Sequence, residues 1–237
     1  MIFSFSVLFA QEVEFTADRP GASTGPSTVA KGVIQWEQGV KYDGDDGKGA
    51  FTFSSTRFRY GLFDGVELRL SGDGFIYDNA NRWEPASPGV NIGAKIRCHE
   101  EQGAVPAISV LANFAIPCTG TKGFVVENFA PSLYLLFGNT LNDRFSLGYN
   151  VGAEWDGASP SPATFLALSL GYSITDGLGC FVESYNYLAR DCNQFCADWG
   201  FNYMVARKVQ LDLAANIDLC DPVHCWAVSF GVAWQIN

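Results

Sequence analysis

The chain has 237 residues, of which 48% are apolar and only 17% charged, with a net charge of −10 and a mean hydropathy of +0.06. It is too rich in apolar and aromatic residues to be disordered, and its acidity argues against a nucleic-acid partner. No run of about 18 apolar residues offers a membrane-spanning helix. A water-soluble β protein fits these numbers, and so does a transmembrane β-barrel whose residues alternate between lipid and lumen.

In chain order, residues 1–10 (M-I-F-S-F-S-V-L-F-A) form a short apolar segment ending in a small residue, ahead of Gln11-Glu12. This reads as a partial signal peptide, without its basic start. Residues 11–30 follow as an N-terminal segment, lying either in the periplasm or in a barrel lumen as a plug. Residues 31–237 then show a period of 2 almost throughout. In the last stretch Trp226, Val228, Phe230, Val232, Trp234 and Ile236 share one face, while Ala227, Ser229, Gly231, Ala233 and Gln235 share the other. Such alternation marks two-faced strands.

Twelve strands are expected, near 31–42, 49–60, 65–75, 88–98, 103–116, 124–138, 143–155, 162–173, 177–187, 195–205, 208–219 and 223–237. Short turns alternate with longer loops, Tyr77 to Ser87 among them. An even number of long strands, with short turns on one rim and longer loops on the other, predicts an all-β, up-and-down antiparallel transmembrane barrel. A soluble sandwich would carry shorter strands and a charged outer face. Aromatics near strand ends, including Trp36, Tyr42, Tyr60, Trp155, Tyr172, Trp199, Tyr203, Trp226 and Trp234, suit the two membrane interfaces.

If the bulky face meets lipid, the opposite face lines a lumen. The early strands place Lys41, Arg57, Arg59, Arg69, Lys95 and Arg97 there, with Glu37 and Glu67, a net of +4. Later strands contribute Glu154, Glu183, Asp198, Asp212 and Asp218, a net of −5. The lumen then has a positive and a negative wall, an arrangement that either selects solutes by charge or pairs up and fills a narrow barrel. Asp18 and Arg19 of the N-terminal segment are plug candidates able to meet these walls.

Among the seven cysteines, Cys192 with Cys196 and Cys220 with Cys225 are candidates for disulfides stapling surface loops. The odd count leaves a thiol free or joined to a disulfide partner in another molecule. A zinc site at Cys220, His224 and Cys225 is the weaker reading, since no second Cys pair accompanies it. With only His99 and His224, and no G-x-S-x-G turn, the chain offers no catalytic residues; neither an enzyme activity, a metal nor a cofactor is expected.

Thr16-Ala17-Asp18-Arg19-Pro20-Gly21, the strand Lys31-Gly32-Val33-Ile34-Gln35-Trp36-Glu37-Gln38-Gly39, the block Arg59 to Leu70 and the strand Asn91 to Lys95 share an order and spacing. Together with Glu183 to Tyr185 and Asp198-Trp199-Gly200, they resemble the outer-membrane transporter-like barrels named for the meta-cleavage pathway of phenol degradation. The resemblance runs from about Phe15 onward. It implies a bacterial outer-membrane protein acting as a passive channel or transporter for small solutes, hydrophobic ones included. Its partners would be outer-membrane lipid, the solutes and the barrel-insertion machinery, for which Trp234 is the aromatic nearest the C-terminus. The alternative is a structural or adhesive envelope barrel with a sealed lumen.

Overall fold

The computed structural model describes residues 15–45, 48–79, 82–190, 193–223 and 225–236. The signal segment 1–10, Cys192 and His224 lie outside these residues. The described chain forms β1 (Ile34–Asp45), β2 (Lys48–Phe63), β3 (Val66–Asn79), β4 (Arg82–His99), β5 (Ala107–Ala115), β6 (Ala130–Thr140), β7 (Phe145–Glu154), β8 (Ala163–Ser173), β9 (Leu178–Leu188), β10 (Asn193–Ala206), β11 (Val209–Asp218) and β12 (Trp226–Ile236). Each strand pairs antiparallel with the next, and β1 closes on β12 from Ile34↔Ile236 to Gly44↔Trp226. Closure pairs both free edges, which a bilayer would otherwise leave without hydrogen bonds.

The period-2 pattern sets which side chains face in. On β12, Trp226, Val228, Phe230 and Trp234 stand exposed while Ala227, Ala233 and Gln235 are buried. The whole molecule is inverted relative to a water-soluble domain. Its largest fully buried side chains include Arg59, Lys95, Gln35, Glu37, Glu67 and Glu183, whereas Leu68, Leu70, Leu135, Leu168, Val182, Phe201 and Leu213 lie outside. A continuous apolar exterior of this extent needs a hydrocarbon environment to cover it. Tyr60, Tyr172, Tyr203 and Trp234 fall near the short-turn ends of their strands, and the rings of Tyr42 and Trp226 meet in a tilted contact at 5.7 Å near the opposite rim.

Two segments depart from the sequence expectation. Of the stretch Tyr77 to Ser87, expected as a loop, residues 77–79 and 82–86 are paired strand: Tyr77 faces Glu84 and Asn79 faces Arg82. A register shift between Asp73 and Phe75, with Gly89 at φ 107°, absorbs the Pro-containing sequence that reads as a breaker. Conversely, residues 124–129 are not strand, and β6 begins at Ala130. Phe124 turns back on Thr121 (N···O 3.0 Å) and seats its ring on Phe75 (5.1 Å) and Tyr77 (5.0 Å). The apolar pattern there serves a loop that folds onto the β3–β4 hairpin rather than the barrel wall. Residues 103–106 likewise precede β5, in a turn closed by Gln102 and Val105.

Leu135, at the centre of β6 and exposed on the outer wall, gives a direct test of the lipid-facing surface. Leu135→Arg is expected to lower folding stability in phospholipid vesicles by about 2–4 kcal/mol, read from reversible denaturant titration.

Candidate functional site: a lumen crossed by the N-terminal segment

Residues 15–33 have no regular structure beyond a bridge at Lys31, and they run inside the barrel. Their contacts reach inward side chains of β1, β2, β3, β4, β5, β7, β9 and β11. Asp18 sits among the basic residues of the early strands. It accepts from Lys95 Nζ (3.1 Å) and from Arg69 Nη2, with Arg59 at 3.7 Å and Arg57 at 3.9 Å. Burial pushes the Asp18 carboxyl up, but the surrounding Arg59, Arg69, Lys95 and Arg57 hold it well below the usual carboxylate range.

The same cluster is cross-braced within the wall. Arg59 donates to Glu67 through Nε and Nη2 (both 2.8 Å) and to Glu37 through Nη1 (3.0 Å). Arg69 Nε donates to Glu67 at 2.8 Å. Lys95 Nζ also donates to the carbonyls of Gly25 (2.9 Å) and Ser27 (3.0 Å), and Glu67 accepts from the Val29 amide (2.9 Å). Thr16 O receives Gln35 Nε2 and Arg59 Nη1, both at 2.7 Å.

Arg19, one residue along, points to the other wall. Its Nε and Nη2 grip both oxygens of Asp212 at 3.2 and 3.0 Å, the two-pronged geometry that favours arginine over lysine. The guanidinium lies over Gly39 and Gly231, which face each other across the β1–β12 seam; a Cβ at either would overlap it. Gly61 plays the same part for the chain at Ala30, whose carbonyl occupies the space a Cβ would take. Between these anchors the segment crosses the lumen. Glu183 Oε1 accepts from the amides of Ala22 and Ser23 (2.9 Å each), Glu183 Oε2 from Ser23 Oγ, and Asn150 exchanges hydrogen bonds with Thr24 (2.8 and 2.9 Å).

Arg59, Glu67, Arg69 and Lys95 therefore form one buried cluster with Asp18, while Asp212 and Glu183 hold separate parts of the segment. Asp198 is buried and faces Glu183 in the β9–β10 register, and its Oδ1 has no hydrogen-bond partner. The remaining predicted lumen residues sit elsewhere. Lys41 pairs with Asp43 (2.8 Å), Arg97 with Glu100 at the rim (3.4 Å), and Glu154 accepts from Tyr134 Oη (2.8 Å). Asp218 Oδ1 accepts from the Cys220 amide (2.8 Å). Neutral inward residues that charge counting passes over, Gln35, Ser109, Asn150 and Gln210, also bind the segment. They lie on the same strand faces as the charges, so the period that found the one set contains the other.

The expected surface staples are not formed. Cys220 is an exposed free thiol, so the Cys220–Cys225 bridge is not made, and Cys196 is a free thiol turned into the barrel. Cys196 follows the inward face of β10, an orientation that close spacing in sequence does not reveal. His99 sits at the rim with Nδ1 3.3 Å from Pro106 O.

Three cavities surround the segment. One of about 440 Å³ opens toward the short-turn rim, reaching Glu101, Asn139, Thr140 and Tyr172. Two lie toward the longer loops: one of about 560 Å³ between Asp43, Asp198, Asp218 and Trp226, and one of about 380 Å³ between Arg57, Glu154 and Phe165. Arg19, Pro20 and Gly21 line both the first and the second; Thr24 lines both the first and the third. The crossing from Arg19 to Thr24 is thus the partition between the two ends of the lumen.

No curated protein matches the chain in sequence. Among solved structures it is similar to an outer membrane channel from Pseudomonas putida F1, with 12% identity and a TM-score of 0.67 over 92% of this chain and 99% of that one. It is also similar to the translocator domain of the autotransporter NalP from Neisseria meningitidis, with 10% identity and a TM-score of 0.53 over 86% of this chain and 88% of that one. These likenesses are of fold. Residues 17–236 match the family described as the MetA-pathway of phenol degradation, so nearly the whole described barrel and the segment inside it belong to that family.

Proposed function

We propose that this protein is a passive outer-membrane channel for small solutes, with the N-terminal segment as a plug across its lumen. The observation that carries this reading is the layout of the cavities. Water-sized space approaches the Arg19–Thr24 crossing from both rims, and among the described residues that crossing lines the cavities on both sides. A barrel built solely as a scaffold has no need of such space. The inward Ser, Thr, Asn, Asp and Gly residues favour polar solutes over hydrophobic ones. The similarity in fold to a channel of the outer membrane supports the same location and role.

A sealed envelope barrel is the second reading, favoured by the density of ion pairs around Asp18 and Arg59. Planar-bilayer recording separates the two. The native chain is expected to show small or rare openings. Deletion of residues 15–30 is expected to give stable openings of several-fold larger conductance. Silence from both proteins, each verified as folded by its heat-dependent shift in gel electrophoresis, supports the sealed barrel.

A milder perturbation tests the anchor itself. Arg19→Ala leaves Asp212 without its bidentate partner, a loss worth about 3–5 kcal/mol for a buried pair. Amide exchange at Ala22, Ser23 and Thr24 is expected to accelerate by two orders of magnitude or more. Gly39→Val, which occupies the seat of the guanidinium, is expected to act in the same direction. Unchanged exchange in both variants argues that the crossing does not depend on Arg19.

A further inference from the structure

We infer that the loop-side cavity between β1 and β9–β12 is a binding site for a small organic ammonium ion, with Asp198 as its counter-ion and Tyr185 and Tyr187 as its aromatic wall. The inference rests on the channel reading only for how the ligand arrives; the site itself is defined by the cavity. At about 560 Å³ the chamber accommodates a ligand of one ring with a short side chain.

Its charge is the first argument. Lys41 and Arg19 are the two cations lining it, and both are committed, to Asp43 at 2.8 Å and to Asp212 at 3.0 Å. Asp73, Asp198 and Asp218 face the same space, and none of them has a cation within 4.0 Å among the described residues. Three carboxylates without a counter-charge among the described residues, with Asp198 buried, Asp218 half-buried and Asp73 exposed, give this loop-side chamber a negative field that favours a cation.

The second argument is independent of charge counting. Asp198 is only 4% exposed, lines the chamber, and has a carboxylate oxygen with no hydrogen-bond partner. Its neighbour in the register, Glu183, is by contrast supplied with three donors by Ala22 and Ser23. A buried carboxylate oxygen left open beside a satisfied one is placed for a donor that the described residues do not supply.

The third argument is the wall. Tyr185 and Tyr187 line the chamber with rings edge-to-face at 6.3 Å, and Tyr187 continues against Phe165 at 5.1 Å, which in turn meets Tyr134 at 5.8 Å. An aromatic face beside a carboxylate is the pairing that holds alkylammonium groups, by ring quadrupole and charge together. A bare divalent metal fits less well: among the described residues no three His, Cys, Asp or Glu side chains converge as ligands.

The test uses the full chain in detergent and isothermal titration with three probes of one size: phenethylamine, 2-phenylethanol and phenylacetate. Phenethylamine is expected to bind at least 10-fold more tightly than either of the others. Asp198→Asn is expected to weaken it by 10-fold or more, Asp218→Asn by a smaller factor, and Glu101→Gln, at the opposite rim, not at all. Equal binding of the neutral and cationic probes to the native chain overturns the site, whatever the variants do. So does full phenethylamine affinity in a folded Asp198→Asn protein. Binding in detergent requires no conduction. A protein that discriminates the probes yet stays silent in bilayers refutes the channel and keeps the site; one that conducts without discriminating does the reverse.

Discussion

Two adjacent residues of opposite charge, Asp18 and Arg19, satisfy the two halves of the lumen wall at once. The wall has an excess of cations on β2 to β4 and of carboxylates on β9 to β11. Neither excess is removed by pairing within its own half. Asp18 meets Arg69 and Lys95, and Arg19 meets Asp212. Because neighbouring side chains in an extended backbone point to opposite sides, one dipeptide spans the lumen. The position of every later residue of the segment, from the Glu183 contacts to the Gly61 contact, follows from that placement.

This arrangement explains why polar residues dominate the interior at little apparent cost. Taking Arg59 or Lys95 out of water costs several kcal/mol per ion, and a lone pairing rarely repays it. Here each cation has several acceptors: Arg59 reaches Glu37, Glu67 and Thr16 O, while Lys95 reaches Asp18, Gly25 O and Ser27 O. Four of these six acceptors belong to the segment and two to the wall. The barrel and its N-terminal segment are therefore one electrostatic unit on this side. The plain glycines of the opposite seam, Gly39 and Gly231, are where that unit is made to fit sterically.

The strand count, the closed antiparallel order and the inward charges were legible because a period of 2 states which residues share a face, and a barrel assigns one face to lipid. Asp18 and Arg19 were legible as partners because the walls carry net charge of opposite sign. What pattern alone did not convey was geometry in the third dimension. The β3–β4 hairpin persists through a proline-bearing stretch because a bulge and Gly89 take up the irregularity. Phe124 belongs to a loop because its ring finds Phe75 and Tyr77. Cys196 is not a surface staple, because the alternation of β10 turns it inward. The glycine seat of Arg19 is invisible until β1 and β12 are known to be neighbours.

The two sides of the lumen hold the segment with unequal strength. On the basic side the chain is pinned at both ends of the cluster, by Asp18 and by the stretch from Gly25 to Val29, with charge-assisted bonds throughout. On the acidic side Arg19 is the cation the segment contributes, and the crossing from Pro20 to Thr24 depends on amide and hydroxyl donors to Glu183 and Asn150. Charge-assisted bonds are roughly twice as strong as neutral ones, and the charge-assisted bonds of the crossing gather on Glu183. Displacing Pro20 to Thr24 therefore breaks fewer strong bonds than displacing either flank. The crossing also lines cavities on both sides, so the weakest-held part of the segment is the part that lies between them. The uncompensated carboxylates lie beside it, at Asp198 next to Glu183. The loop-side chamber thus meets the crossing at Asp198, a buried carboxylate with no cation partner among the described residues.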